Sequence, residues 1–307
     1  MRNDVEHFRA LIYGMRAAYG RGDNAMDFAR NQLADTVGRS NLLAATLIAY
    51  DLQTGTYTAG VRANPEANRR WCNQLSDLIR TVLPRGGRIL EVGTGEATTL
   101  AGVVSALGAD LGGAYGFDLS WSRVAEGQEW LAERGQEANL FVGDLFEIPL
   151  ADSSIDVVYS SHSLEPNGGW EEAAIAECLR VAREAVVLVE PSYELAKPEA
   201  RARMEHHGYV RGLRETAERL GAKVLEHRLL AYCPNSLNPS GVLILAKQQS
   251  SRPTAKTMNI WRCPLTGASL EAHEDVFYAP DVGIAYPILR GVPLLRGEHA
   301  VVASKCR

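Results

Sequence analysis

Long apolar runs, paired cysteines and a surplus of positive charge are all missing from this 307-residue chain. Its longest apolar stretches, such as residues 42–50, stop far short of the roughly 20 residues that a membrane-crossing helix needs. A membrane partner of that kind is therefore not expected. The five cysteines (Cys72, Cys178, Cys233, Cys263, Cys306) are odd in number, widely scattered and free of any CxxC spacing. They read as reduced thiols, neither a disulfide framework nor a metal clip, and point to the cytoplasm. Lys and Arg total 32 against 37 Asp and Glu, a net charge of −5. That balance argues against nucleic acid as a partner, because such a partner demands many phosphate neutralisations. Asp4 and Glu6 precede any apolar stretch, unlike a signal peptide. No internal repeat or low-complexity tract is visible.

What is present is a 46% hydrophobic, 22% charged composition, in the ordinary globular range. Residues 1–60 space their apolar positions like helices, with a break predicted over 51–60. An amphipathic helix is expected over 65–82, opened by Pro65 and closed by the Pro84–Gly87 turn. From residue 88 short β-branched runs (88–92, 114–117, 140–142, 155–159, 185–189) alternate with helical stretches (96–107, 121–134, 170–182). A helix over 198–220 and strands over 223–232 and 241–247 complete the set. This alternation predicts an α/β fold with a doubly wound, mostly parallel seven-stranded sheet. Three units are expected: an N-terminal helical extension or lid (1–64), a catalytic domain (65–248) and a small β-rich unit (257–307). The polar segment 248–256 serves as linker.

Three strand ends carry the chemistry. The first, Ile89-Leu-Glu-Val-Gly-Thr-Gly-Glu-Ala, ends in Glu91, turns at Gly93, Thr94 and Gly95, and opens a helix. Glycines there let a ligand approach the backbone, and the helix start offers unpaired N–H groups. A pyrophosphate loop would want glycine where Thr98 stands, and Glu91 would repel that anion while suiting an ammonium. The second end, Gly116-Phe-Asp-Leu-Ser, presents Asp118 and Leu119, placed either for ribose hydroxyls or as a helix cap. The third, Val142-Gly-Asp-Leu, offers Gly143, Asp144 and Leu145 to an adenine amino group and ring face.

Together these segments, with 155–165 (SIDVVYSSHSLE), resemble the class I, Rossmann-like S-adenosylmethionine-dependent methyltransferases over roughly residues 65–247. The resemblance implies S-adenosylmethionine as cofactor, no metal, and a methionine–ribose–adenine path along Glu91, Gly93, Thr94, Gly95, Asp118, Leu119, Gly143, Asp144, Leu145 and Ser160. Tyr57, in the segment 49–57 (AYDLQTGTY), matches a stretch that closes over the cofactor in many members; core tyrosine is the plainer alternative. Ala97 replaces a glycine frequent in the family, and the Glu91–Asp118 interval is long, which places a loop over 108–113.

His162, past the fourth strand, is the expected general base, since imidazole titrates near neutrality; a structural histidine is the alternative. Tyr193, with Glu190, is expected to face the same crevice after the fifth strand and contact substrate; a plain turn role is the alternative. Arg201, Arg203, His206, His207, Arg211 and Arg214 read as a solvated, paired helix face, with a substrate-facing end at His206, His207 and Tyr209 as the alternative. The C-terminal segment from Trp261 is similar to the small zinc-ribbon-like methyltransferase activator subunit. Of four metal ligands only Cys263 is kept, with Thr266, Ala279 and Val282 in the other places. The expected reaction is methyl transfer to an oxygen or nitrogen of a small molecule in a natural-product or glycan pathway. Methylation of tRNA or a protein, and a non-catalytic cofactor-binding regulator, are the alternatives; a homodimer is left open.

Overall fold

The computed structural model describes residues 2–33, 39–247 and 259–305. The expected linker 248–256 and Cys306 lie outside the described residues. The chain opens with helices α1 (Arg2–Gly20), α2 (Ala25–Leu33), α3 (Arg39–Leu52) and α4 (Thr56–Ala63). Leu11 and Met15 of α1 pack on Ala25, Ala29, Ala45 and Ala49, a small core of their own. The break predicted over 51–60 is shorter than expected: the chain turns at Gly55 (φ 89°) and re-enters a helix at Thr56. Asn64 then caps α5 (Pro65–Arg80), its side chain accepting the Ala67 N–H at 3.2 Å, with Pro65 in the first turn.

Strand and helix alternate from there: β1 (Gly87–Val92), α6 (Thr98–Leu107), β2 (Leu111–Asp118), α7 (Trp121–Ala132), β3 (Asn139–Val142), β4 (Ile155–Ser161), α8 (Glu171–Val181) and β5 (Ala182–Pro191). Next come α9 (Pro198–His207), α10 (Leu213–Arg219), β6 (Lys223–Leu229) and β7 (Ser240–Ala246). They form a seven-stranded sheet in the order β3-β2-β1-β4-β5-β7-β6. Only β7 is antiparallel to its neighbours β5 and β6. The strand order reverses between β1 and β4, so a crevice opens there at the carboxyl ends of the strands, where open α/β sheets take their ligands. Both faces are covered, which is why β4 and β7 are buried almost throughout.

Two further sequence expectations need correction. The helix predicted over 198–220 is two helices, because Gly208 (φ 66°) and Gly212 (φ 63°) take left-handed conformations that end one and start the other. The expected loop over 108–113 is a 3-10 turn over Gly108–Asp110, and β2 begins already at Leu111.

The C-terminal residues form a small antiparallel sheet of β8 (Glu271–Ala272), β9 (Val276–Ala279), β10 (Ile284–Leu289), β11 (Val292–Pro293) and β12 (Val301–Val302). It docks on the open edge of the large sheet. Leu294 bridges Val142 in parallel, and the Leu295 N–H donates to the Val142 carbonyl at 2.9 Å. Trp261 stacks edge-on against Phe141 (5.3 Å) and Phe277 (5.0 Å), joining both units in one core. Burying the edge of β3 removes a row of unpaired backbone groups. Cys263 lies buried with its thiol 3.3 Å from the Tyr286 hydroxyl.

Candidate active site

Glu91, Asp118 and Asp144 stand at or just past the carboxyl ends of the adjacent strands β1, β2 and β3. With neighbouring strands about 4.8 Å apart, three such tips span about 10 Å. Gly93 (φ 65°) and Gly95 (φ 53°) turn the chain between β1 and α6, and Ala97 also takes a positive φ. A Cβ on Gly93 would stand 2.4 Å from that of Ser163, so glycine is required there for packing as well as conformation. The Thr94 N–H donates to the Phe117 carbonyl at 2.8 Å, and its hydroxyl donates to Glu91 at 2.9 Å.

Glu91 is buried, and burial pushes its carboxyl up to about 8 against the hydrogen bond from Thr94. Asp118 is buried too, and burial raises it against the Ser120 N–H, the Arg123 guanidinium and the Gly95 N–H. Each of its oxygens accepts one backbone N–H, from Gly95 (3.1 Å) and Ser120 (2.9 Å). An ionised carboxylate has about four acceptor sites, so capacity is left for a pair of hydroxyls. The capping of α7 falls to Ser120, not to Asp118. Asp144 is half-buried and accepts the Phe146 N–H at 2.9 Å. Gly143 donates to the Asp118 carbonyl, while Leu145 is buried with Phe117 and Phe141. Leu119 is half-buried beside Asp118, and Ser160 is buried next to Val92 across the β1–β4 pair.

These residues fit S-adenosylmethionine. A buried acid at about 8 is one that a cationic ammonium would return to its charged form. Where a Gly95 side chain would stand, the nearest group is the Arg123 guanidinium at 4.0 Å, so the backbone can be approached closely.

Two residues that sequence reading missed tie the N-terminal helices to this row. Glu96, buried at the start of α6, accepts the N–H groups of Gly55 (2.9 Å) and Thr58 (2.7 Å), and so caps α4 from outside. Arg123, also buried, donates to the Gln53 side chain at 3.0 Å. Its guanidinium lies 4.2 Å from the Tyr50 ring centre and 5.1 Å from that of Tyr57. Tyr57 itself is 54% exposed. Arg123 carried a legible signal: a cation in a first helical turn opposes the helix dipole, so it needs another reason to be there.

At the β4 end, His162 (φ 57°) lies with Nδ1 3.2 Å from Glu165 and Nε2 2.7 Å from the Ser240 hydroxyl. Burial lowers its pKa, but Glu165 and Glu190 outweigh it, and the imidazole titrates above its ordinary value. Glu190, buried and pushed up to about 7 by that burial, accepts the N–H groups of Ser163, Leu164 and Glu165. Trp71 stacks edge-on to His162 at 5.7 Å and donates to the Ser161 hydroxyl at 3.1 Å. Tyr193 is not brought to this cluster: its hydroxyl donates to Glu205, and its ring faces Arg201 and Arg211. His206, His207 and Tyr209 stack on one another at the end of α9.

By sequence, residues 89–185 match the methyltransferase domain family. No curated protein matches the chain. Among solved structures, a chain of the complex between the Haloferax volcanii Trm112 methyltransferase activator and a methyltransferase shares the fold. It is 15% identical with a TM-score of 0.50, covering 64% of this chain and 96% of that one. Methyltransferases dependent on S-adenosylmethionine from Methanosarcina mazei (16% identity, TM-score 0.48, 56% and 98% covered) and Aquifex aeolicus (16%, 0.43, 57% and 89%) are also similar. Through residues 89–185 the chain carries a methyltransferase domain, and its seven-stranded sheet with one reversed strand has the Rossmann-like methyltransferase fold.

Proposed function

We propose that this enzyme moves the methyl group to an oxygen or nitrogen of a small molecule, with His162 as the base. Glu91 would hold the cofactor's ammonium, Asp118 its ribose, and Asp144 with Leu145 its adenine. When bound, the cofactor supplies an already electrophilic methyl group on a sulfonium. The protein's task is then to orient the acceptor, exclude water and take up one proton. The observation that carries this reading is the placement of His162 at the end of β4, between Glu165 and Ser240 and beside the switch point where the carboxylate row begins.

Small acceptors are favoured by the α3–α4 segment, which Glu96 and Arg123 hold against the domain beside Gly95 and Asp118. A cover so close to the cofactor loop narrows the way in for a folded macromolecule. The C-terminal unit, in the same reading, supports the adenine end by gripping the chain on both sides of 143–149. It does so through Leu295 on Val142 and through Ile260, which accepts the Ala151 N–H at 2.8 Å. The test is a panel of alcohols, phenols and amines, together with tRNA, incubated with methyl-labelled cofactor. Label is expected on a small acceptor and lost in His162→Ala. Transfer to tRNA alone would overturn the small-molecule reading.

A further inference from the structure

Arg123, in the first turn of α7, is only 5% exposed, and a charge buried that deeply is costly unless an anion matches it. The other buried arginine among the described residues, Arg296 of the C-terminal unit, pairs with Glu298 at 3.1 Å. Arg123 has no carboxylate within ion-pair distance among those residues. Asp118 feels its charge, yet both oxygens of that carboxylate accept backbone N–H groups instead. Two nitrogens of Arg123 face α3. Nε donates to the Tyr50 carbonyl at 3.4 Å and Nη2 to the Gln53 side chain at 3.0 Å, with the Tyr50 ring centre 4.2 Å from the guanidinium. Nη1 meets no acceptor among the described residues. It is the group nearest to where a Gly95 side chain would stand, at 4.0 Å, and so lies beside the turn between β1 and α6. In that turn the N–H groups of Thr94, Gly95 and Ala97 are already donated, to Phe117, Asp118 and Thr94. The guanidinium is thus fixed on the α3 side and open on the side of the turn.

We propose that Arg123 binds the carboxylate at the amino-acid end of the cofactor through Nη1. This assignment deepens the proposed placing of the cofactor along Glu91, Asp118 and Asp144, and it rests on that placing. S-adenosylmethionine and S-adenosylhomocysteine each carry one anionic group, this carboxylate. The ammonium and the sulfonium repel a guanidinium, and the ribose hydroxyls have Asp118 as their acceptor. Glu91 before the turn and Arg123 beside Gly95 then match a zwitterion, the acid taking its ammonium and the guanidinium its carboxylate. A charge-assisted hydrogen bond of this kind is stronger than a neutral one, and a fork already held by Tyr50 and Gln53 loses little freedom when it forms. The same guanidinium joins the bound carboxylate to the end of α3, so the cofactor and its cover share one anchor.

The experiment is calorimetry on the full chain with two ligands, S-adenosylhomocysteine and its decarboxylated analogue, which keeps the adenosyl group, the sulfur and the ammonium. Wild type is expected to bind the first about 20-fold more tightly than the second. In Arg123→Met that ratio should fall to within about threefold of one, since a general loosening of the site weakens both ligands and cancels in the ratio. Gln53→Ala frees the guanidinium from the cover but leaves its charge, so both ligands should weaken alike and the wild-type ratio should persist. Should Arg123→Met not fold, Arg123→Gln, which is neutral but keeps a donor, gives the same comparison. A wild-type ratio near one, or a ratio that the Arg123 substitution leaves unchanged, overturns the assignment. The two failures stay apart. No uptake of S-adenosylhomocysteine by wild type sinks the placing of the cofactor and this contact with it, whereas uptake with an unchanged ratio sinks the contact alone.

Discussion

The two halves of the crevice are built in different ways. The half along β1, β2 and β3, proposed to hold the cofactor, is assembled from short loops built of backbone N–H groups, positive-φ glycines and one acid per strand. The other half, at β4, β5 and β7, where the acceptor is proposed to sit, is assembled from side chains that are far apart in sequence. Examples are His162 with Ser240, Trp71 with Ser161 and Glu190 with the 163–165 loop. A half made of local backbone geometry tolerates variation around it, since any chain with the right turns can present it. A half made of long-range side-chain contacts depends on the whole fold bringing them together, and it is there that the proposed acceptor choice would reside.

The difference can be broken with single substitutions. The largest effect is expected from Asp118→Ala, which removes an acceptor of two backbone N–H groups and of the proposed ribose contacts. Affinity for S-adenosylhomocysteine should fall about 100-fold or more, equivalent to ~2.7 kcal/mol, measured by calorimetry. His162→Ala should do the reverse, leaving that affinity within about twofold while turnover drops by about 100-fold. Equal losses of binding in both variants would show that the halves are not separable.

Glu96→Ala should come next. Two N–H groups at the start of α4 lose their partner, a capping loss of about 1 kcal/mol, so product release should quicken several-fold in stopped-flow fluorescence. An unchanged release rate would show that the Glu96 contacts to α4 do not retain the product.

Proton linkage sharpens the comparison further. Glu91 is pushed up to about 8 in the folded protein, so the fold keeps a proton that the unfolded chain gives up near 4.5. This contribution to the stability of the free protein is therefore full at low pH and lost as pH rises through about 8. If an ammonium holds Glu91 ionised, binding releases a proton in that window, and the calorimetric enthalpy at pH 7 should depend on the buffer's ionisation heat. No buffer dependence would argue against the Glu91 contact. The smallest effect is expected from Tyr193→Phe, whose hydroxyl meets Glu205 and Arg211 at the surface. Turnover should stay within about twofold, as for surface substitutions generally.

The same contrast decides how much was legible beforehand. The strand–helix alternation, the tight turn at Gly93 and Gly95 and the three acid-tipped strands could be read because their signals are local in sequence. The break between α9 and α10 was hidden because its two glycines sit in a stretch otherwise rich in helix formers. Ser240 gave no signal, since a serine after Asn-Pro reads as a turn until β7 places it against His162. Glu96 looked like an ordinary first-turn acid, and only the fold brings Gly55 and Thr58 to it. Tyr193 was placed by strand order alone, which fixes where a residue enters the rim but not which way its side chain turns.

The central claim is that the carboxylates of consecutive strands grip an adenosyl sulfonium along its length. Its most direct measurement is a titration of S-adenosylhomocysteine into wild type and Asp118→Ala under one buffer. Saturable one-to-one uptake by wild type, weakened about 100-fold by the substitution, is the predicted result. Absence of uptake by wild type, or identical affinities for the two proteins, would contradict it.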